Sequence, residues 1–331
     1  MEEKTFREKV HTVLCINGGI SEKAVRMMSG SQSYKLKVMC EMRQQEMVEK
    51  KQHITRLTRK GLNEGMWNDE MPEMYLRRRE ENRDRCMKAT EGRLRRYMYQ
   101  SEVLTAMLES GAEIYEGDMD ELPNRIVYVR SKKVKADGEM DKQAIKRSRA
   151  MGTLYGAEGN LYNVYAMGSG VLTWSHNSEA MYKACVERKN QERTKGKSRA
   201  DAILLVDDIG NLKRFTGKRM RKGGPMRAGD VYQRMYVLPK DQMGTQLLNV
   251  LLIPESETAT EEIAAEHKAF NFLLPNVAKL RAYGLTEAEE GSVCCIKGYE
   301  DGVKGVVPGV DIEAVDIEEL IERTLSKCYL D

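Results

Sequence analysis

The 331-residue sequence predicts an α+β protein, with a small N-terminal helix-and-ribbon segment, a charged helical connector and a larger mixed α/β domain. Three observations predict it. Over residues 1–66, apolar positions recur at helical spacing between Gly and Ser punctuation, then give way to a polar, β-branched alternation. Residues 67–111 are densely charged and gain an apolar helical stripe only near their end. From residue 112 onward, short β-branched and aromatic runs alternate with amphipathic helical ones.

The N-terminal elements follow in order. A first helix over Glu3 to Ile16 places Phe6, Val10, Val13 and Leu14 at helical spacing and stops at Gly18-Gly19. Ser21 caps a short second helix, SEKAVRMMSG, with Ala24, Val25 and Met28 inward and Gly30 as its stop. A third helix starts at Ser31 or Ser33. Its Leu36, Met39, Cys40 and Arg43 share one face, with Ser33, Tyr34, Lys37 and Glu41 largely outside it. MVEKKQHITRLT then supplies two short strands, Met47 to Lys50 and His53 to Leu57, and Thr58 caps a fourth helix through Leu62.

The connector, MYLRRREENRDRCMKATEGRLRRYMYQ and its flanks, has few apolar anchors before Leu94, Tyr97, Met98, Leu104, Met107 and Leu108. It reads as a solvated helix laced with i,i+4 ion pairs, whose basic clusters at Arg77 to Arg79 and Arg93 to Arg96 could touch phosphate or form a dimer arm. Beyond it, strands are expected at Arg125 to Val129, Met151 to Tyr155, Leu161 to Ala166, Val171 to Trp174, Ala200 to Val206, Tyr232 to Leu238, Ala269 to Leu274 and Val293 to Lys297. Helices are expected at Asp141 to Arg149, Ser178 to Asn190, Gln242 to Leu252 and Asp316 to Tyr329.

Charged residues make up 32% of the chain and aromatics 6%, a balance suited to long exposed helices more than to a compact enzyme core. No apolar run approaches the roughly 18 residues that span a bilayer, and the acidic opening MEEKTFREKV is unlike a signal peptide, so no membrane partner and a cytoplasmic location are expected. The seven cysteines are scattered without a C-x-x-C pair, and the four histidines are equally dispersed. Reduced thiols and no metal centre are expected. Charge is polarised along the chain: residues 1–65 carry +5, residues 255–331 carry −10 and the middle carries +8. That distribution suits a polyanion bound at one end.

Helix, short helix, helix and ribbon, with QQEMVEKK closing the third helix and RLTRKG following the ribbon, resemble a winged helix-turn-helix DNA-binding domain over residues 1–66. Glu46 stands where that family usually shows Gly before the first ribbon strand. The resemblance implies double-stranded DNA as partner, with the third helix in the major groove. Ser31, Ser33, Tyr34 and Lys37 would then approach bases and phosphates, and Lys50, Lys51, His53 and Arg56 on or beside the wing would meet backbone.

SRADAILLVDD followed by MYVLPKDQMGTQLLNVLL is similar, in order of elements, to the replication-relaxation family of plasmid and conjugative-element proteins. This implies a role in replication, transfer or transcription control of a mobile genetic element, alongside replication or conjugation proteins, and admits a homodimer. Pro239 stands where that family tends to show an acid, so the 112–331 domain would be a degenerate nuclease-like fold.

Two other functions remain open on the residues. A metal-dependent nuclease or nicking enzyme would need Asp201, Asp207, Asp208, Glu187 and Lys189 to converge on a cation, and their order argues against it. A ligand-responsive transcriptional repressor would use the α/β domain for a small molecule. GKRMRKGG, from Gly217 to Gly224, is a cationic loop and not a P-loop, and Ser175-His176 has no evident catalytic partner. No intact catalytic motif and no cofactor are expected.

Overall fold

Helix α1 (Phe6–Asn17) begins where Thr5 and Glu8 form a reciprocal capping box and ends at Gly18, whose φ of 77° is left-handed. A side chain at Gly18 would also strike the Asn82 carbonyl, so both conformation and close packing require glycine there. The computed structural model describes residues 4–63, 72–137, 145–156, 160–168, 175–196 and 198–207, together with shorter pieces at 219–220, 224–225, 231–232, 235–242, 244–245, 248, 252, 293–296 and 312–315. Helix and strand are mixed throughout, in two compact units, Met1–Gly117 and Asp118–Asp331.

In the first unit α1 is followed by β1 (Ile20–Ser21), α2 (Glu22–Met27), α3 (Gln32–Gln44), β2 (Val48–Lys51), β3 (Ile54–Leu57) and α4 (Arg59–Asn63). Strand β1 is too short to show alternation in sequence, and its Ser21 also caps α2 by accepting from the Ala24 amide at 3.0 Å. The three strands form one antiparallel sheet ordered β1-β3-β2. The β2–β3 turn is Gln52-His53, with Gln52 at φ 57°. Glu46, just before β2, is left-handed at φ 59°, the conformation glycine adopts most easily. Thr58 opens α4 by accepting from the Gly61 amide at 3.0 Å, and a Cβ on Gly61 would collide with the Met47 carbonyl oxygen.

The buried stripe of α3 is Lys35, Val38, Met39 and Met42, so the expected stripe of Leu36, Met39, Cys40 and Arg43 is corrected: Leu36 and Cys40 are exposed. Lys35 explains the rotation. Its stem is buried and its ammonium donates to the Arg26 and Met28 carbonyls at 3.0 and 2.8 Å, occupying acceptors left open where α2 ends.

The connector proves to be packed, not merely solvated. Helices α5 (Glu73–Leu76), α6 (Arg79–Met87) and α7 (Glu91–Glu109) belong to the first unit, with α6 against α1 and α7 against α1, α2 and β1. Their polar residues make the joints. Asn82 donates to the Cys15 carbonyl at 3.1 Å and Arg83 to the Leu57 carbonyl at 2.8 Å. Ser101 accepts from the Ser21 amide at 3.0 Å, and buried Glu102 accepts from the Ser21 hydroxyl at 3.1 Å. Lys9 and Glu109 form a buried ion pair at 3.1 Å. On the outer faces the expected i,i+4 pairs are present, Glu73 with Arg77, Glu81 with Arg85 and Glu91 with Arg95. The short strand β4 (Glu113–Tyr115) closes this unit.

The second unit contains a 3-10 turn (Met119–Glu121), β5 (Val127–Arg130), α8 (Ser131–Asp137), β6 (Gly152–Tyr155), β7 (Leu161–Met167), α9 (His176–Thr194), β8 (Ala200–Val206), β9 (Arg219–Met220), β10 (Gly224–Pro225), β11 (Met235–Pro239), β12 (Val293–Ile296) and β13 (Ile312–Val315). Strands run in the order β11-β8-β7-β6-β5, antiparallel from β5 to β7 and parallel from β7 to β11. Helix α9 makes the crossover between β7 and β8 and packs on both. Strands β12 and β13 pair in parallel with each other. The expected strands Val171 to Trp174 and Ala269 to Leu274, the final helix from Asp316 and most of the GKRMRKGG loop lie outside the described residues, as do parts of the expected helices at Asp141 and Gln242.

A polar circuit lies under α9. Glu179 accepts from the Ser148 hydroxyl at 2.7 Å, the Arg149 amide at 2.7 Å and the Tyr165 hydroxyl at 2.9 Å. Tyr165 meets Tyr232 at 2.6 Å, Asn163 donates to Tyr232 at 2.9 Å, Thr153 donates to Asn163 at 2.9 Å and Tyr182 lies 3.1 Å from Thr153. All six of these side chains, from Glu179 to Tyr182, are buried. Burial raises the Glu179 carboxyl above its ordinary value, against three hydrogen bonds and the nearby Lys135 charge that favour its ionised form. Among the described residues no helix is long and apolar enough to cross a membrane.

Candidate nucleic-acid interface

Helix α3 offers its N-terminal end to the outside. Ser31 is its N-cap, accepting from the Tyr34 amide at 3.3 Å, and its hydroxyl is 3.3 Å from that of Ser33. Ser31, Ser33, Tyr34 and Lys37 are all exposed, so the structure brings these four expected residues together on one helix end. Tyr34 leans edge-on against Phe6 with ring centroids 6.0 Å apart, which fixes its ring while leaving its edge open. Among the described residues no carboxylate pairs with Lys37, because Glu41, one turn on, is taken by Arg7 at 3.0 Å.

The hairpin residues divide into three cases. Lys51 and His53 are exposed at its tip. Lys50 is half-exposed but ion-paired with Glu22 of α2, and the hydrogen bond from Lys50 is the main reason the Glu22 carboxyl is held below its ordinary value. Both side chains are half-exposed, so Glu22 offsets the Lys50 charge only in part.

Arg56 is a correction: the expected phosphate contact is 2% exposed. It lies on β3, the central strand, and side chains of α6 lie against that part of the sheet. Gly19 there abuts Ile54 and Cys86, and Arg83 reaches the Leu57 carbonyl. Burial pushes the Cys86 thiol up to about 11, with the Arg56 charge acting the other way. The Arg56 Nε has no hydrogen-bond partner among the described residues. Neither group is free to meet a groove. Of the neighbouring cations, Arg59 is exposed and Lys60 is 3.5 Å from Glu46.

Two residues relevant to this surface are not marked by the local sequence pattern. Glu22 lies outside the ribbon and shows its role only once α2 and β2 are adjacent. Leu36 falls on the expected apolar stripe and is 53% exposed. Only the buried Lys35, which breaks the apolar pattern, could have signalled the rotated face.

The acids weighed for a nuclease do not converge. Asp201 and Asp207 sit at opposite ends of β8, about 20 Å apart at strand rise. Asp207 is 3.1 Å from the buried Lys240 ammonium, where β8 and β11 end side by side. Glu187 accepts from the Ala200 amide at 2.8 Å, Lys189 pairs with Asp120 at 2.9 Å, and Asp208 lies outside the described residues. Among the described residues no group of three or more His, Cys, Asp or Glu side chains is placed to hold a metal ion. In comparisons with known proteins, no family model, no curated protein and no solved structure matches this chain.

Proposed function

We propose that the first unit binds double-stranded DNA as a winged helix-turn-helix module, with α3 in the major groove and the β2–β3 hairpin along the flanking backbone. The observation that supports this reading is the order α1-β1-α2-α3-β2-β3 on a β1-β3-β2 antiparallel sheet, with Ser31, Ser33, Tyr34 and Lys37 exposed at the start of α3. An α-helix fits the major groove, and hydroxyls and an ammonium at its N-terminal end match base edges and phosphates. Lys51 and His53 take the wing contacts, while Arg56 serves the interior of the module. The biological setting, replication, transfer or transcription control of a mobile genetic element, rests on the similarity of the β8 and β11 segments to the replication-relaxation family.

The test is duplex binding by the full chain as a function of salt. A true complex loses affinity linearly in log salt, and Lys37→Ala and Lys51→Ala each lower the slope by roughly 0.9. Salt-independent binding, or slopes indifferent to both substitutions together, would overturn the reading.

A further inference from the structure

The outward face of α3 holds more than the polar residues expected of it. Ser33, Leu36, Lys37, Cys40 and Gln44 recur at helical spacing and are all exposed. Leu36, at 53%, is the most exposed large hydrophobic side chain among the described residues. The core does not need it, since Val38, Met39 and Met42 already fill the buried stripe. Its flanks are a hydroxyl and an ammonium, and the helix begins with Gln32, also exposed.

Building on the duplex-binding reading, we infer that Leu36 reads the C5-methyl group of thymine, so that the target contains at least one A·T pair fixed by apolar contact. The thymine methyl is the one apolar group exposed on base edges in the major groove. A single aliphatic side chain set between Ser33 and Lys37 matches that local pattern of one methyl among hydrogen-bonding groups and phosphate charge. A second copy of this chain fits the face less well, because a stable dimer buries on the order of 800 Å² per partner around an apolar centre, and this face offers one Leu among polar neighbours. Charge complementarity points the same way: the nearest acid on α3, Glu41, is ion-paired with Arg7 at 3.0 Å, and Lys37 is the cation beside Leu36 on the face.

The experiment selects duplexes from a random pool with the full chain, then replaces each thymine of the selected site by deoxyuridine, which removes only the methyl. At one or two positions the wild-type affinity is expected to fall about fourfold, the effect of one buried methyl group. Leu36→Ala should bind more weakly and lose that discrimination while keeping its salt slope. Binding unaffected by deoxyuridine at every position, or equal deoxyuridine sensitivity in Leu36→Ala, overturns the inference and leaves the duplex-binding reading standing. A pool that yields no salt-dependent binder overturns both. Conversion of a dimer to a monomer by Leu36→Ala in sedimentation would assign the face to self-association and overturn it as well.

Discussion

The hydroxyls of Tyr165 and Tyr232 lie 2.6 Å apart, and the proton between them belongs to Tyr232. Tyr165 uses its own proton on Glu179, so it can only accept from Tyr232. The same accounting runs upstream. Tyr232 accepts from the Asn163 amide, Asn163 accepts from Thr153, and Thr153, its single proton spent, accepts from Tyr182. The bonds therefore share one direction, from Tyr182 to Glu179. Those two residues are three apart on α9, so the circuit leaves the helix, crosses β6 and β7, and returns one turn away.

Direction makes the circuit's members unequal. Tyr165→Phe strands the Tyr232 proton and removes a donor from a buried carboxylate, for an expected loss of about 2–3 kcal/mol. Tyr182→Phe removes only the first donor and leaves Thr153 able to donate, for about 1 kcal/mol. Urea unfolding of the two variants checks the order, and equal losses would contradict the assigned direction.

His11 makes the first unit sensitive to acid. Burial, aided by the Arg79 charge, lowers its imidazole to about 4, so the folded protein keeps it neutral where the unfolded chain would take up a proton. Its contribution is complete above about pH 6.5 and is lost as pH falls towards 4, a loss on the order of 3 kcal/mol. Hydrogen-exchange protection of the α1 amides, corrected for intrinsic rate, should fall over that window, and His11→Gln should flatten the fall.

Releasing Lys50 should strengthen DNA binding. Glu22→Gln removes its partner and leaves the ammonium without that ion pair on β2 of the hairpin. On the duplex-binding reading the salt slope steepens by roughly 0.9 and affinity at low salt rises. A slope unchanged from wild type would show that Lys50 lies away from the backbone.

Glu46→Gly should stabilise the first unit. A left-handed non-glycine residue costs about 1–2 kcal/mol, part of which returns as the greater freedom glycine has in the unfolded chain. The Glu46 ion pair with Lys60, at 3.5 Å and largely exposed, contributes little. Thermal unfolding should show a net gain of about 0.5–1 kcal/mol.

Local chemistry carried much of this structure in the sequence itself. The Ser21, Ser31 and Thr58 starts, the stop at Gly18 and the positions of β2 and β3 all depend on residues within a few positions of one another, and each lies within a residue or two of where the pattern puts it. Placing Ser31, Ser33, Tyr34 and Lys37 at the start of α3 needed only the Ser31 cap, whereas the apolar stripe by which their exposure was expected is rotated by the buried Lys35. Only tertiary structure decided the rest. The two-residue β1 exists because β3 pairs with it, Arg56 is interior because Arg83 and Cys86 of α6 lie against the central strand, and Lys50 is ion-paired because α2 brings Glu22 to it. In α6 and α7, Asn82, Arg83, Ser101, Glu102 and Glu109 look like solvated polar surface in sequence, yet they bond to distant carbonyls, an amide, a hydroxyl and an ammonium. A polar side chain buries favourably when a partner waits for it, and such partners lie dozens of residues away, beyond the reach of any local pattern.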